Sequence, residues 1–403
     1  MTLNRISNSK SSREDKALSR NVVSLGWVAF FGGLAQDMIQ PILPIFYTSV
    51  LGLNKEFIGL IEGSLTTIVS LTKIGAGYVS DALGIKKAIV FFGYALSAVA
   101  RFSLGFAGNG AAAFGIRLTD GLGKGAKDAP RDALVAGSAG NRKLGFAFGV
   151  QRTLDTLGSA AGPLITYGLL RLWVDHANKY REVFLLAGVI AALPLLIIGL
   201  WVKERKLAVN KQALSLKGPR GPFVGFLAVM LVFTLGNSSD AFLILRANDV
   251  GIQPVVIPLI IAAFNLVSAL AAIPAGRLSD TIGRRKVISI GWAIYAVTYL
   301  GFALVKAPWM VWGLYMFYGL YYAFTEGAGK AMVAELVPEA NRGAAFGLYN
   351  ASIGVMALPA SLIAGALWQR VSPAAPFAFG AILAFIAFAA LWLIPWKTGR
   401  RGW

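Results

Sequence analysis

Apolar residues run along this chain in blocks of about twenty, separated by short segments that hold most of its Lys and Arg and many Gly and Pro breaks. At 1.5 Å rise per residue, a helix needs about that many apolar residues to cross the hydrocarbon of a bilayer. The pattern predicts twelve spans, near residues 21–50, 56–79, 88–108, 111–134, 144–172, 183–202, 223–246, 253–276, 287–306, 308–331, 344–369 and 374–396. The chain therefore reads as an all-α membrane protein with twelve transmembrane helices.

The longest connection, Lys203 to Pro222, is basic and broken by "KGPRGP", and it divides the spans six and six. This predicts an N-terminal tail (1–20), an N-terminal six-helix bundle (21–202), a central linker (203–222), a C-terminal six-helix bundle (223–396) and a C-terminal tail (397–403). The two halves echo each other. "GYVSDALGIKK" from Gly77 recurs as "GRLSDTIGRRK" from Gly276, and "GFAFG" from Gly145 recurs as "GAAFG" from Gly343. Two matches at nearly one offset indicate a duplicated unit, and transporters built from repeats hold substrate near the midplane between them.

Charge changes the picture in one respect. The 403 residues carry a formal net charge of +19, but Lys and Arg are dispersed among the connecting segments and tails instead of forming one patch. That is the positive-inside pattern, which places both termini in the cytoplasm and argues against a nucleic-acid partner. The N-terminus reads as an uncleaved first span, since no small-residue cleavage site precedes the apolar run. With no Cys and one His, thiol catalysis, disulfides and a His- or thiolate-based metal site are not expected. His176 lies in the connection after span five, an exposed-loop position. No cofactor motif or paired catalytic constellation points to an enzyme. Gly121, Gly123 and Gly125 lack the preceding strand and the Gly-Lys-Ser/Thr of a phosphate-binding loop.

The repeated G-x-x-x-D-x-x-G-x-[KR]-[KR] element, comprising Gly77, Asp81, Gly84, Lys86 and Lys87 and then Gly276, Asp280, Gly283, Arg284 and Arg285, resembles the signature loop of the major facilitator superfamily. Ala82 and Thr281 stand where that family usually has a basic residue. The resemblance implies two pseudo-symmetric six-helix bundles working by alternating access, with these loops as gating elements. Span five carries Gly149, Gly158, Gly162 and Pro163, similar to the signature of the superfamily's proton-coupled exporters, although Thr166 and Tyr167 replace its following Gly pair. Small residues spaced by four also serve ordinary helix packing, so that alternative stays open. Span four carries Arg117-x-x-Asp120-Gly121, resembling the family's R-x-x-Q-G signature with Asp in place of Gln.

Charges inside spans are costly, about +2.5 to +3.5 kcal/mol each at a helix centre on insertion scales, and so mark cavities or partners. They occur at Asp37, Glu62, Lys73, Arg101, Arg117, Asp120, Lys124, Arg152, Asp155, Asp240, Glu326 and Lys330. Burial favours the protonated form of a carboxyl group and a neighbouring guanidinium opposes it. Asp37, Asp120 and Asp155 are accordingly candidate proton sites, with Arg117 modulating them. Lys124, Arg152, Asp240, Glu326 and Lys330 are candidate cavity or substrate residues. Structural ion pairing is the alternative role for each. Lys127 to Asp132, beyond the upper ladder and around Pro130, are expected at the cytoplasmic boundary. The aromatic run "YMFYGLYYAF" in span ten either lines a cavity or fills the bundle.

The combined expectation is a monomeric carrier in the cytoplasmic (inner) membrane of a bacterial cell, exchanging a small molecule for protons in the direction of efflux. Proton-coupled or facilitated uptake of a metabolite is the alternative within transport. A transporter-like sensor or assembly factor that does not turn over is the alternative outside it.

Overall fold

The computed structural model describes residues 2–139, 144–204, 221–338 and 341–394. The residue pair Arg142-Lys143, most of the central linker and the C-terminal tail lie outside the described residues. Within them the regular structure is entirely helical: α1 (Thr2–Ile39), α2 (Leu43–Ser49), α3 (Lys55–Leu83), α4 (Lys86–Leu104), α5 (Gly110–Ala139), α6 (Leu144–Leu172), α7 (Lys179–Trp201), α8 (Pro222–Gly236), α9 (Ala241–Asp249), α10 (Ile257–Ile282), α11 (Arg284–Leu304), α12 (Pro308–Leu336), α13 (Arg342–Arg370) and α14 (Ala375–Leu393). These make twelve spans because α1 with α2, and α8 with α9, each form one span interrupted near its middle. The backbone of α1 is helical from Thr2, so the expected N-terminal tail continues the first span.

Local chemistry sets many of the ends. Asn54 caps α3 by accepting a hydrogen bond from the Phe57 amide at 2.8 Å, and Asn109 does the same for Ala112 at the start of α5. The signature elements are not extended loops: Gly77 to Leu83 and Gly276 to Ile282 are the last turns of α3 and α10. Each reverses at a glycine with positive φ, Gly84 at 67° and Gly283 at 93°, where a Cβ would be strained. Asp81 then pairs with Lys86 at 2.9 Å, and Asp280 with Arg284 at 3.9 Å. Gly77 and Gly276 are under no close-packing demand in this conformation.

α5 runs through Pro130 to Ala139, a few residues past the expected end of the span, since neighbouring helices can compensate a missing backbone bond. One expectation about it is corrected. Lys127 is buried instead of interfacial: its ammonium sits 4.0 Å above the Tyr94 ring, contributed by α4.

The first six spans pack as one bundle and the last six as another, and the halves meet along α3 with α13, α6 with α10, and α2 with α9. The α3–α13 seam is close enough to exclude side chains. A Cβ on Gly59 would lie 2.3 Å from the Ser361 carbonyl oxygen, and one on Gly354 would lie 2.1 Å from the Cβ of Ser70. Thr67 also donates to the Gly354 carbonyl at 2.7 Å, and Arg370 to Glu56 at 2.6 Å. These contacts seal the half of the interface nearer α2 and α9. Toward the end bearing the signature turns, the same interface helices expose Leu71, Tyr78, Phe146, Leu270 and Leu348.

Within the N-terminal half, α1 and α6 approach through Gly158 and Gly162, whose added Cβ atoms would lie 2.1 Å from the Phe30 oxygen and 2.7 Å from the Leu34 oxygen. Pro163 follows inside the continuous helix, and Gly149 faces open space. Gly158→Ala is therefore predicted to destabilise the protein by about 1–3 kcal/mol through overpacking, read as a lower unfolding temperature in detergent micelles. Gly168→Ala, at an open helical position, should leave that temperature unchanged or raise it.

Candidate functional site

The breaks in spans one and seven stand opposite each other. Gln40 and Pro41 interrupt the first and Asn237 to Asp240 the second, placing short polar backbone segments at membrane depth. Such backbone is tolerated only against protein or a cavity. A cavity of about 380 Å³ lies between the halves, bordered by Gln36, Gln40, Glu62, Arg117, Lys124 and Asp240 among others. A smaller one of about 40 Å³ adjoins Asp37, Gln40 and Asp240 together.

The wall from the N-terminal half is an ion-pair network. Asp120 is fully buried, and its carboxylate faces Arg117 at 3.1 Å, Lys124 at 3.2 Å and Arg101 at 3.4 Å. Helical spacing brings Arg117 and Lys124 to it from the same helix at i−3 and i+4. Arg101 arrives from α4 and also donates to Gln36 Oε1 (2.8 Å) and the Gly32 oxygen (3.3 Å) on α1. Arg117 reaches on to Glu62 of α3 at 3.3 Å. Four helices are tied by one carboxylate and its cations. Arg117 and Lys124 line the cavity, while Asp120 is enclosed.

One to three turns further along α5 a second cluster joins Lys73 to Asp128 (3.9 Å), Arg131 to Asp128 and Asp132 (3.9 and 3.7 Å), and Arg131 to the Tyr94 hydroxyl (3.2 Å). Its members pair with one another and with α3 and α4.

The opposite wall is built differently. Asp240 accepts from the Tyr318 hydroxyl at 2.6 Å and from Tyr322 at 3.2 Å, both on α12, and makes no ion pair among the described residues. Behind it Tyr295, Tyr299, Tyr318 and Tyr321 stack with centroids 4.0 to 6.3 Å apart. The aromatic run of span ten thus mainly fills the bundle, with Tyr322 on the main cavity and Tyr315 and Tyr318 on the smaller one.

The remaining candidates are placed as follows. Asp37 is half-buried at the end of α1 with the Ser159 hydroxyl beside it, and Asp155 lies one turn from Ser159 on α6. Neither forms an ion pair among the described residues. Glu326 borders a pocket of about 160 Å³ that shares Thr234, Asn237, Tyr322 and Ile353 with the main cavity, and it pairs with Lys330 at 2.9 Å and, across the halves, with Arg152 at 3.9 Å. These three are half or more exposed, away from the lining of the main cavity. His176 is exposed and faces Glu182 at 3.5 Å.

Gln36, Asn237, Ser238 and Ser239 were not singled out by the sequence, and Tyr318 and Tyr322 only as part of the aromatic run of span ten. Their only signal was "GNSSD", a turn-like run inside an apolar window, and the tyrosine spacing of span ten. Glu62 and Arg101 were visible as intramembrane charges, but their partners are 55 and 19 residues away in the chain.

Removing the Asp120 charge leaves three buried cations around a neutral group. Asp120→Asn is predicted to cost about 3–5 kcal/mol, seen as a markedly lower unfolding temperature. Adding Arg101→Gln to Asp120→Asn should recover part of that loss, since the two are coupled through one contact.

Comparison with known proteins follows the same architecture. The Major Facilitator Superfamily model matches residues 25–242 and 223–402. The chain is 34% identical over 387 residues to an uncharacterized MFS-type transporter of Methanocaldococcus jannaschii, covering 94% of this chain and 96% of that one. It is 26% identical over 299 residues to a multi-drug resistance efflux pump PmrA homolog of Lactococcus lactis, covering 70% and 72%. Among solved structures, a POT family transporter in complex with 5-aminolevulinic acid superposes with a TM-score of 0.76 at 14% identity, covering 93% of this chain and 95% of that one. The nucleoside transporter NupG (D323A mutant) gives 0.74 at 13% identity, covering 93% and 99%. With two six-span halves around a polar cavity and a family match over nearly its whole length, this chain belongs to the major facilitator superfamily and is an integral membrane transporter.

Proposed function

We propose that the protein is a proton-coupled exporter that exchanges a small molecule for protons by alternating access and works as a monomer in the cytoplasmic membrane. The observation that carries this reading is the pair of carboxyl groups, Asp37 and Asp240, that stand at the breaks of spans one and seven and border the same small pocket from opposite halves. Two carboxylates facing each other in a low-dielectric site repel, and a proton on either relieves that repulsion. A cationic group of a substrate relieves it equally well. Proton and substrate therefore compete for one site, which is the requirement of antiport.

Asp120 has a different part in this scheme. Enclosed by three cations and away from the cavity lining, it serves as a fixed hub while Asp37, with Asp155 beside it on α6, carries the proton. Basic residues near the signature turns support a cytoplasmic position for that end. The sealed α3–α13 seam lies at the other end, so this conformation is one that receives substrate from the cytoplasm. Efflux is further supported by the Gly158, Gly162 and Pro163 arrangement of α6 and by the relatives named as multidrug pumps.

The test is purified protein in liposomes carrying an internal pH dye and an imposed pH gradient. Addition of a transported compound should dissipate the gradient. Asp37→Asn should reduce proton-driven flux by about 5- to 150-fold, the usual range of coupling free energies, while leaving substrate exchange without a gradient. Unchanged proton coupling in both Asp37→Asn and Asp240→Asn would sink the antiport reading. Flux only toward the cytoplasm would establish uptake, and binding without flux would establish a sensor.

A further inference from the structure

The two walls of the main cavity differ in the charge each leaves free. On the N-terminal wall Arg117, Lys124 and Glu62 line the cavity, backed by Arg101 and the enclosed Asp120, while Asp37 of the same half borders the adjoining smaller pocket. Arg117 spends its two terminal nitrogens on its two acidic partners. Lys124 makes one contact, to Asp120, and borders the cavity with donor capacity remaining on its ammonium. The wall from the C-terminal half carries Asp240, whose two oxygens each accept one tyrosine hydroxyl and keep further lone pairs.

A simple cation in this cavity meets Asp240 but is repelled by the Lys124 side. A simple anion meets Lys124 and is repelled by Asp240. A molecule with both charges satisfies both walls, and in a space shielded from bulk water each contact is stronger than it would be at a surface. Between the charged ends the lining includes Ile39, Leu43, Leu65, Ile244 and Ile353, which suit an apolar body. The volume of about 380 Å³ lies in the lower part of the range for small-molecule sites, roughly 300–1,000 Å³.

We propose that the substrate is a small zwitterion of the amino-acid or short-peptide class, its carboxylate held at Lys124 and its ammonium at Asp240, with the Tyr322 and Tyr318 hydroxyls orienting Asp240. This rests on the reading above that the cavity between the halves is the transport site, and it supplies the cationic group that competes with the proton.

The test uses the purified full chain in detergent. Its unfolding temperature is measured with free leucine, free phenylalanine and leucyl-leucine, and with the N-acetyl and amide forms of each. The N-acetyl form removes the positive charge and the amide removes the negative one. At least one zwitterion is expected to stabilise the protein, with both masked forms weaker by about tenfold or more. Asp240→Asn should bring that zwitterion and its N-acetyl anion to within about threefold of each other. Lys124→Gln should do the same for the zwitterion and its amide cation. The masked-ligand comparison needs no variant, and Tyr322→Phe offers a milder change on the same wall, expected to weaken the ammonium contact alone. Stabilisation by masked forms as strong as by the zwitterion, or by no zwitterion at about 10 mM, overturns the proposal. Loss of pH-driven flux with this discrimination intact would instead sink the antiport reading and leave the zwitterion site standing.

Discussion

A single carboxylate, Asp120, holds the N-terminal half together. Its three cations come from α4 and α5, and their further bonds reach Glu62 on α3 and Gln36 and Gly32 on α1. Each of these charges alone would be expelled from hydrocarbon, and together they are tolerated because every one finds an opposite partner at close range. The constraint works in both directions. The ions need the helices packed around them, and the helices are kept in register by the ions.

The C-terminal half meets the same geometric demand with different chemistry. Its broken span presents one carboxylate, and tyrosine hydroxyls rather than guanidinium groups hold it. Stacked aromatic rings behind it provide the rigidity that the ion network gives the other half. The two halves thus present an ion-paired wall on one side and a tyrosine-held carboxylate on the other. The seam that joins them is a close approach at Gly59, Gly354 and Gly365, closed at its end by the Arg370–Glu56 pair.

Several features were legible in the chain because they are local. Hydropathy over twenty residues located the spans, and a glycine with two basic residues marked each tight reversal at Gly84 and Gly283. The i−3 and i+4 neighbours of Asp120 were readable from helical spacing alone. Where local reading went astray, a distant neighbour was responsible. Lys127 is not an exposed boundary residue, because α4 covers it with Tyr94. Span one carried a Pro and span seven a turn-like run, yet within apolar windows neither distinguished a kink from a gap.

By itself the sequence determined the twelve spans, the duplication, the basic connections and which charges must be sheltered, since each follows from composition over one to six helical turns. Only the tertiary structure decided which charges share a cavity and which share an ion pair. Arg101 meets Asp120, Arg370 meets Glu56 and Asp37 stands beside the pocket of Asp240 only after helices far apart in the chain have packed. Electrostatic energy depends on distance in space, and a linear pattern records distance along the chain.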